Sequence, residues 1–106
     1  MNTERVNILL QMIYDDPNDP FLYYGLALEY SSDYQYYNKS IEVLENLRAS
    51  HPDYLPLYYQ LATLYRKTGE QEAAKRVVRS GLLLAEKQGN RHTFSELDSL
   101  LEDLDW

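Results

Sequence analysis

The groups able to do covalent or acid–base chemistry in this chain are two histidines, His51 and His92, seventeen Asp and Glu side chains, and scattered serines; there is no cysteine. The histidines stand forty-one positions apart with no spaced companion, so they read as helix-end residues, and no metal site is expected. The serines fall in caps and turns, and acidic neighbours such as Asp15-Asp16 lie where helices stop. Catalysis requires a nucleophile, a base or paired carboxylates converging in a pocket. No such constellation is present, and neither is a glycine-rich phosphate loop. The expectation is a non-enzymatic chain without cofactors, and the eleven tyrosines then hold the informative chemistry. Tyr24 and Tyr59 are two of them, offering broad, rigid contact area with a hydroxyl at the rim, which suits binding hot spots.

These two tyrosines belong to a repeat. Residues 17–32 and 52–67 share Pro17/Pro52, Leu22/Leu57, Tyr23/Tyr58, Tyr24/Tyr59, Leu26/Leu61, Ala27/Ala62 and Tyr30/Tyr65 at an offset of 35. A period of that length marks a helical solenoid, in which each unit buries its apolar face against its neighbours. Tyr23, Tyr30, Tyr58 and Tyr65 hold packing positions of the helical stripe, whereas Tyr24 and Tyr59 fall on a different face.

Composition supports helices throughout. Four Gly and four Pro in 106 residues, with β-branched residues scattered singly, leave no stretch that reads as a strand. The length suits one domain with a modest core. Absence of cysteine suits a reducing cytoplasm, and neither a signal peptide nor a membrane span is recognisable. A formal charge of −7 repels phosphate backbones and anionic lipid, so neither nucleic acid nor membrane is an expected partner. The charge is unevenly placed: Arg66, Lys67, Lys75, Arg76, Arg79, Lys87 and Arg91 make a basic stretch, followed by Glu96, Asp98, Glu102, Asp103 and Asp105.

In chain order, Val6, Leu9, Leu10 and Ile13 mark an amphipathic helix over 3–15, capped by Thr3 or Asn2 and stopped before Pro17. Asp19-Pro20 opens a second helix to about Ser31. A turn carrying Tyr34, Tyr36 and Tyr37 leads to a partner helix over 38–50, with one or two of those rings tucked under the hairpin. Asp53 is expected to cap a helix over 54–67, which Gly69 stops. A longer partner over 70–87 closes at Gly89, and Gly81 within it marks close helix approach. Thr93-Phe94-Ser95-Glu96 fits a capping box opening a terminal helix whose Phe94, Leu97, Leu100, Leu101 and Leu104 share one face. That helix is the expected lid, with Trp106 either wrapped onto it or loose.

The large aromatic followed by Leu-Ala and Tyr (Tyr23, Leu26-Ala27, Tyr30; Tyr58, Leu61-Ala62, Tyr65), the small residue opening each second helix (Ser40, Ala74), the apolar residue four later (Leu44, Val78) and the closing Pro52 resemble the tetratricopeptide repeat family. The resemblance covers about residues 20–87, two repeats. It implies an all-α fold, a right-handed α-α superhelix of antiparallel hairpins with about six helices. A single domain is then divided into an N-terminal half-repeat helix (1–17), repeat 1 (18–52), repeat 2 (53–89) and a C-terminal capping helix (90–106). The first unit departs from the family in lacking a glycine before its second helix, and the second in Gly81 and Glu86.

For function, the resemblance implies a peptide or protein segment bound in a short aromatic groove lined by Phe21, Tyr24, Leu28, Tyr59, Thr63, Arg66 and Lys67. Family members that clamp chaperone tails use a Lys where this chain has Tyr24 and Tyr59, and an Asn where it has Leu28 and Thr63, so no chaperone-tail binding is expected. Arg66 and Lys67 would meet an acidic group of a partner or the chain's own Glu96 to Asp105 segment. The alternative is a structural subunit that self-associates, as a homodimer, through its terminal helices.

Overall fold

In a computed structural model describing residues 1–105, every regular element is helical, and the chain divides into two compact units, residues 1–54 and from Leu55 onward. The expectation for Trp106 lies outside the described residues.

The first unit holds α1 (Thr3–Asp15), α2 (Pro20–Ser31) and α3 (Tyr37–Ser50). Asn2 caps α1, its side-chain oxygen accepting from the Arg5 amide at 3.0 Å, and Asp19 does the same for Phe21 at 3.0 Å, with Pro20 in the first turn. Each cap satisfies an amide that has no partner within its own helix. Leu22, Leu26, Ala27 and Tyr30 are buried against Leu44 and Leu47 of α3, and Val6 of α1 joins Leu26 and Tyr30 in one cluster. Ser40 is fully buried, and its hydroxyl donates to the Ala27 carbonyl at 2.7 Å. A small side chain is needed there for α2 and α3 to approach, and the hydrogen bond offsets the cost of burying its hydroxyl.

α1 departs from its expected stripe. Val6, Leu9 and Ile13 face inward, but Leu10 is exposed. The physical reason is that the α1 backbone approaches one helix, α2, and a helix with one neighbour buries only a narrow strip. Between α2 and α3, Tyr34–Tyr36 forms a single 3-10 turn in which Asp33 accepts from the Gln35 amide. Tyr36 stacks on Tyr30 with ring centroids 5.9 Å apart and planes at 14°, whereas Tyr34 is exposed.

The second unit holds α4 (Pro56–Lys67), α5 (Gln71–Gln88) and α6 (Arg91–Leu104), with α6 packed on both α4 and α5. Leu57, Leu61, Leu64, Val78 and Leu97 are almost completely removed from solvent, each contributing on the order of 1.5–3 kcal/mol. Ala62 and Ala74 are wholly buried where the first unit has Ala27 and Ser40. Gly81 is required by space: a Cβ there would lie 2.9 Å from Leu97 Cδ1 and 2.9 Å from Tyr58 Cβ. Gly69 and Gly89 take φ of 81° and 69°, the left-handed conformation that ends a helix and favours glycine.

Two expected caps are corrected. Asp53 does not cap α4; the helix begins at Pro56 after Leu55, which has no side-chain capping bond and is itself buried. Proline suits the first helical position, and burial of Leu55 draws the preceding turn inward. Thr93 does not open α6 either. Asn90 caps it, accepting from the Thr93 amide at 3.0 Å, because the left-handed Gly89 reverses the chain and leaves Asn90 extended.

Candidate functional site

The α2 residues expected at a binding surface share one outward face. Phe21 and Leu28, seven positions apart, stay 65% and 38% exposed. Tyr24 sits between them but is half-buried, because its ring packs on Tyr54 at a centroid separation of 5.7 Å and a tilt of 59°. Burial there pushes the Tyr54 phenol above its ordinary pKa, with Tyr24 and Asp19 adding to the effect. Tyr54 was expected to start a helix, and instead it lies in the turn and props up Tyr24. The repeat alignment sets Tyr54 opposite Asp19, which hid this role.

Tyr23, by contrast, is scaffold. Its hydroxyl donates to the Pro17 carbonyl at 2.7 Å and closes the α1–α2 loop. A small hollow of about 240 Å³ opens beside it, lined by Pro17, Asn18, Asn46, Leu47, Ser50 and His51. The Ser50 hydroxyl in that lining already donates to the Asn46 carbonyl at 3.1 Å.

In the second unit, Tyr59, Thr63 and Arg66 recur at helical spacing on the outward face of α4, with Lys67 beside them. Tyr59 and Arg66 are exposed. The Thr63 hydroxyl donates to the Tyr59 carbonyl at 2.8 Å, so it serves its own helix first. Asp103 of α6 approaches Arg66 at 4.0 Å, and Asp105 pairs with Lys75 at 3.2 Å. The acidic end of α6 therefore does lie against the basic stretch, through a long, solvent-exposed pair at Arg66 and a shorter one at Lys75.

His92 has a companion that its sequence reading left out: Glu96, one helical turn on, at 3.5 Å. Both side chains are exposed, and among the described residues no three or more His, Cys, Asp or Glu side chains gather as metal ligands would. No helix among these residues is long and apolar enough to cross a membrane.

Two solved structures of a tetratricopeptide repeat domain protein from Salinibacter ruber are similar to this chain, one determined by NMR and one by crystallography. They are 29% and 28% identical, with 84% and 82% of this chain covering 89% and 96% of theirs, at TM-scores of 0.78 and 0.77. The chain has a tetratricopeptide-repeat-like fold. A protein from Bordetella parapertussis shares the fold at 21% identity and a TM-score of 0.81, over 94% of this chain and 86% of its own. No family model matches the sequence, and no curated protein does. Solenoids of stacked helical hairpins generally present extended concave surfaces to their partners.

Proposed function

We propose that the protein is a non-catalytic interaction module that binds a peptide or protein segment through the outward faces of α2 and α4. Phe21, Tyr24 and Leu28 supply apolar and aromatic contacts, Tyr59 and Thr63 supply mixed ones, and Arg66 and Lys67 take an acidic group of the partner. The observation that carries this reading is the exposure of Phe21 and Leu28 on one helical face, since two large apolar side chains left in water beside a half-buried tyrosine serve no purpose in packing. Tyr24 and Leu28, standing where a chaperone-tail clamp has Lys and Asn, argue for an apolar anchor and against a terminal carboxylate.

Selection from a displayed peptide library tests it. Phe21→Ala and Tyr59→Ala are the appropriate variants, because Tyr24→Ala would also remove the support of Tyr54. Peptides recovered by the parent protein and lost with both variants are the expected result. Recovery of the same peptides by all three proteins overturns the reading.

The approach of Asp103 to Arg66 adds a second expectation. Asp103→Asn with Asp105→Asn frees Arg66 and leaves Lys75 paired with Glu72 alone, so affinity for acidic peptides should rise a few-fold in low salt, read by fluorescence anisotropy, and the gain should vanish in high salt. Deletion of α6 is not a usable version of this test, because Leu97 and Leu104 are buried and their loss would expose the core.

A further inference from the structure

Among the described residues, α1 leaves an unusual amount of apolar side chain in water: Ile8 is 53% exposed, Met12 46% and Tyr14 82%. Met1, Arg5, Ile8, Met12 and Asp15 are all exposed and recur at intervals of four, three, four and three. That spacing keeps side chains on one seam when two helices pair along their length. The seam reads basic, apolar, apolar, acidic from Arg5 to Asp15, which makes it complementary to itself read backwards.

We propose that a second copy of this chain docks on α1, the two α1 helices lying antiparallel about a twofold axis. In that register Ile8 opposes Met12 of the second copy, and Arg5 opposes Asp15, each pair occurring twice because an isologous contact repeats itself. A parallel pairing would set Arg5 against Arg5 and Asp15 against Asp15, which like-charge repulsion disfavours. Arg5 already bonds Glu29 at 2.7 Å through Nη1, and its remaining N–H groups stay available, so the Glu29 bond positions the guanidinium for a second carboxylate. Asp15 has a weak bond from Gln11 at 3.4 Å to give up.

The flank also adjoins α2. The Arg5–Glu29 pair, and the Leu9 side chain lying where a Cβ added at Gly25 would meet it at 3.4 Å, hold α1 along α2. A thirteen-residue helix is about 20 Å long. A seam of that size falls short of the roughly 1,600 Å² of a standard interface, so the dimer is weak and concentration-dependent.

The chain has no cysteine, so single substitutions report the register cleanly. Under mild oxidation, an equimolar mixture of Ile8→Cys and Met12→Cys proteins should form disulfide dimers several-fold faster than either variant alone. Ser95→Cys on exposed α6 serves as control. Ile8→Cys linking fastest to itself overturns the antiparallel register, and a mixture no faster than the control overturns the dimer.

Sedimentation of the uncysteined protein should show mass rising with concentration. Met12→Glu should abolish that rise with an unchanged helical CD spectrum. A parent that stays monomeric at the highest attainable concentration overturns the proposal. The inference is independent of the peptide-binding reading: Tyr59→Ala should leave the dimer intact whether or not it affects a ligand.

Discussion

α1 and α6 are helices of nearly equal length, thirteen and fourteen residues, and they treat their apolar side chains in opposite ways. α6 buries Leu97, Leu100 and Leu104 beneath α4 and α5 and turns Glu96, Asp98, Glu102 and Asp103 to water. α1 buries one side chain, Val6, against α2 and leaves Ile8, Leu10, Met12 and Tyr14 exposed. Both sequences are amphipathic, so pattern alone does not separate them. The number of neighbours does, because two supporting helices cover a wide apolar arc and one covers a strip. A terminal helix of a repeat protein is expected to present a polar outer surface. α6 meets that expectation, and α1 keeps an apolar outer flank.

Truncating one side chain on each helix puts the contrast to its most severe test. Leu97→Ala removes a completely buried side chain, and urea unfolding should show a loss of about 3 kcal/mol. Ile8→Ala, on the exposed flank of α1, should stay within about 0.5 kcal/mol in dilute solution. Equal losses would mean that α1 is covered as fully as α6. Glycines at the two helix contacts give a finer version. Gly81→Ala would force its methyl against Leu97 and the Tyr58 Cβ, at a net cost of about 1–2 kcal/mol even after the gain in helix propensity. Gly25→Ala meets only the flexible end of Leu9 at 3.4 Å. The propensity gain of about 1 kcal/mol should then prevail, and that variant should melt at or above the parent temperature.

The sequence made the hairpins legible because the features that define them are local. Tyr, Leu and Ala at fixed spacing, Asp19-Pro20 at a start, and Gly69 and Gly89 at stops each act within a turn or two of helix, and the spans of α1 and α2 follow from them. Gly81 was legible for the same reason, as a helix-interior glycine that only close packing explains. The errors lie where two local signals compete. Pro56 overrides Asp53, and Asn90 behind a left-handed Gly89 overrides Thr93. The outward faces of α2 and α4 could be read from periodicity, but their environment could not. Tyr24 rests on Tyr54, and Arg66 meets Asp103, through contacts thirty and thirty-seven residues apart that no local pattern encodes. Leu10 failed for the same reason, since its exposure depends on which helices are absent from its surroundings.

The smallest expected effect concerns how α1 is held at all. Polar ties from α1 and its cap to α2 converge on Glu29, which accepts from Arg5 at 2.7 Å and from the Asn2 amide at 3.3 Å. The Arg5 hydrogen bond, with help from Asn2 and against a partial desolvation, holds the Glu29 carboxyl below the usual carboxylate range. A carboxylate whose folded pKa is lowered stabilises the fold above its unfolded pKa, and that contribution disappears as pH falls through the lowered folded value. Acidification should therefore loosen α1 before it loosens α6, which keeps the burial of Leu97, Leu100 and Leu104 even when the exposed pairs of Asp103 and Asp105 are lost. Amide hydrogen exchange in α1 should accelerate relative to α6 between neutral and acid pH in the parent protein. In Glu29→Gln the α1 amides should exchange faster at neutral pH and change little on acidification, apart from the intrinsic chemistry common to both helices. An α1 that tracks α6 at every pH in both proteins would show that the Glu29 cluster fastens nothing, and the contrast between the two helices would then rest on apolar packing alone.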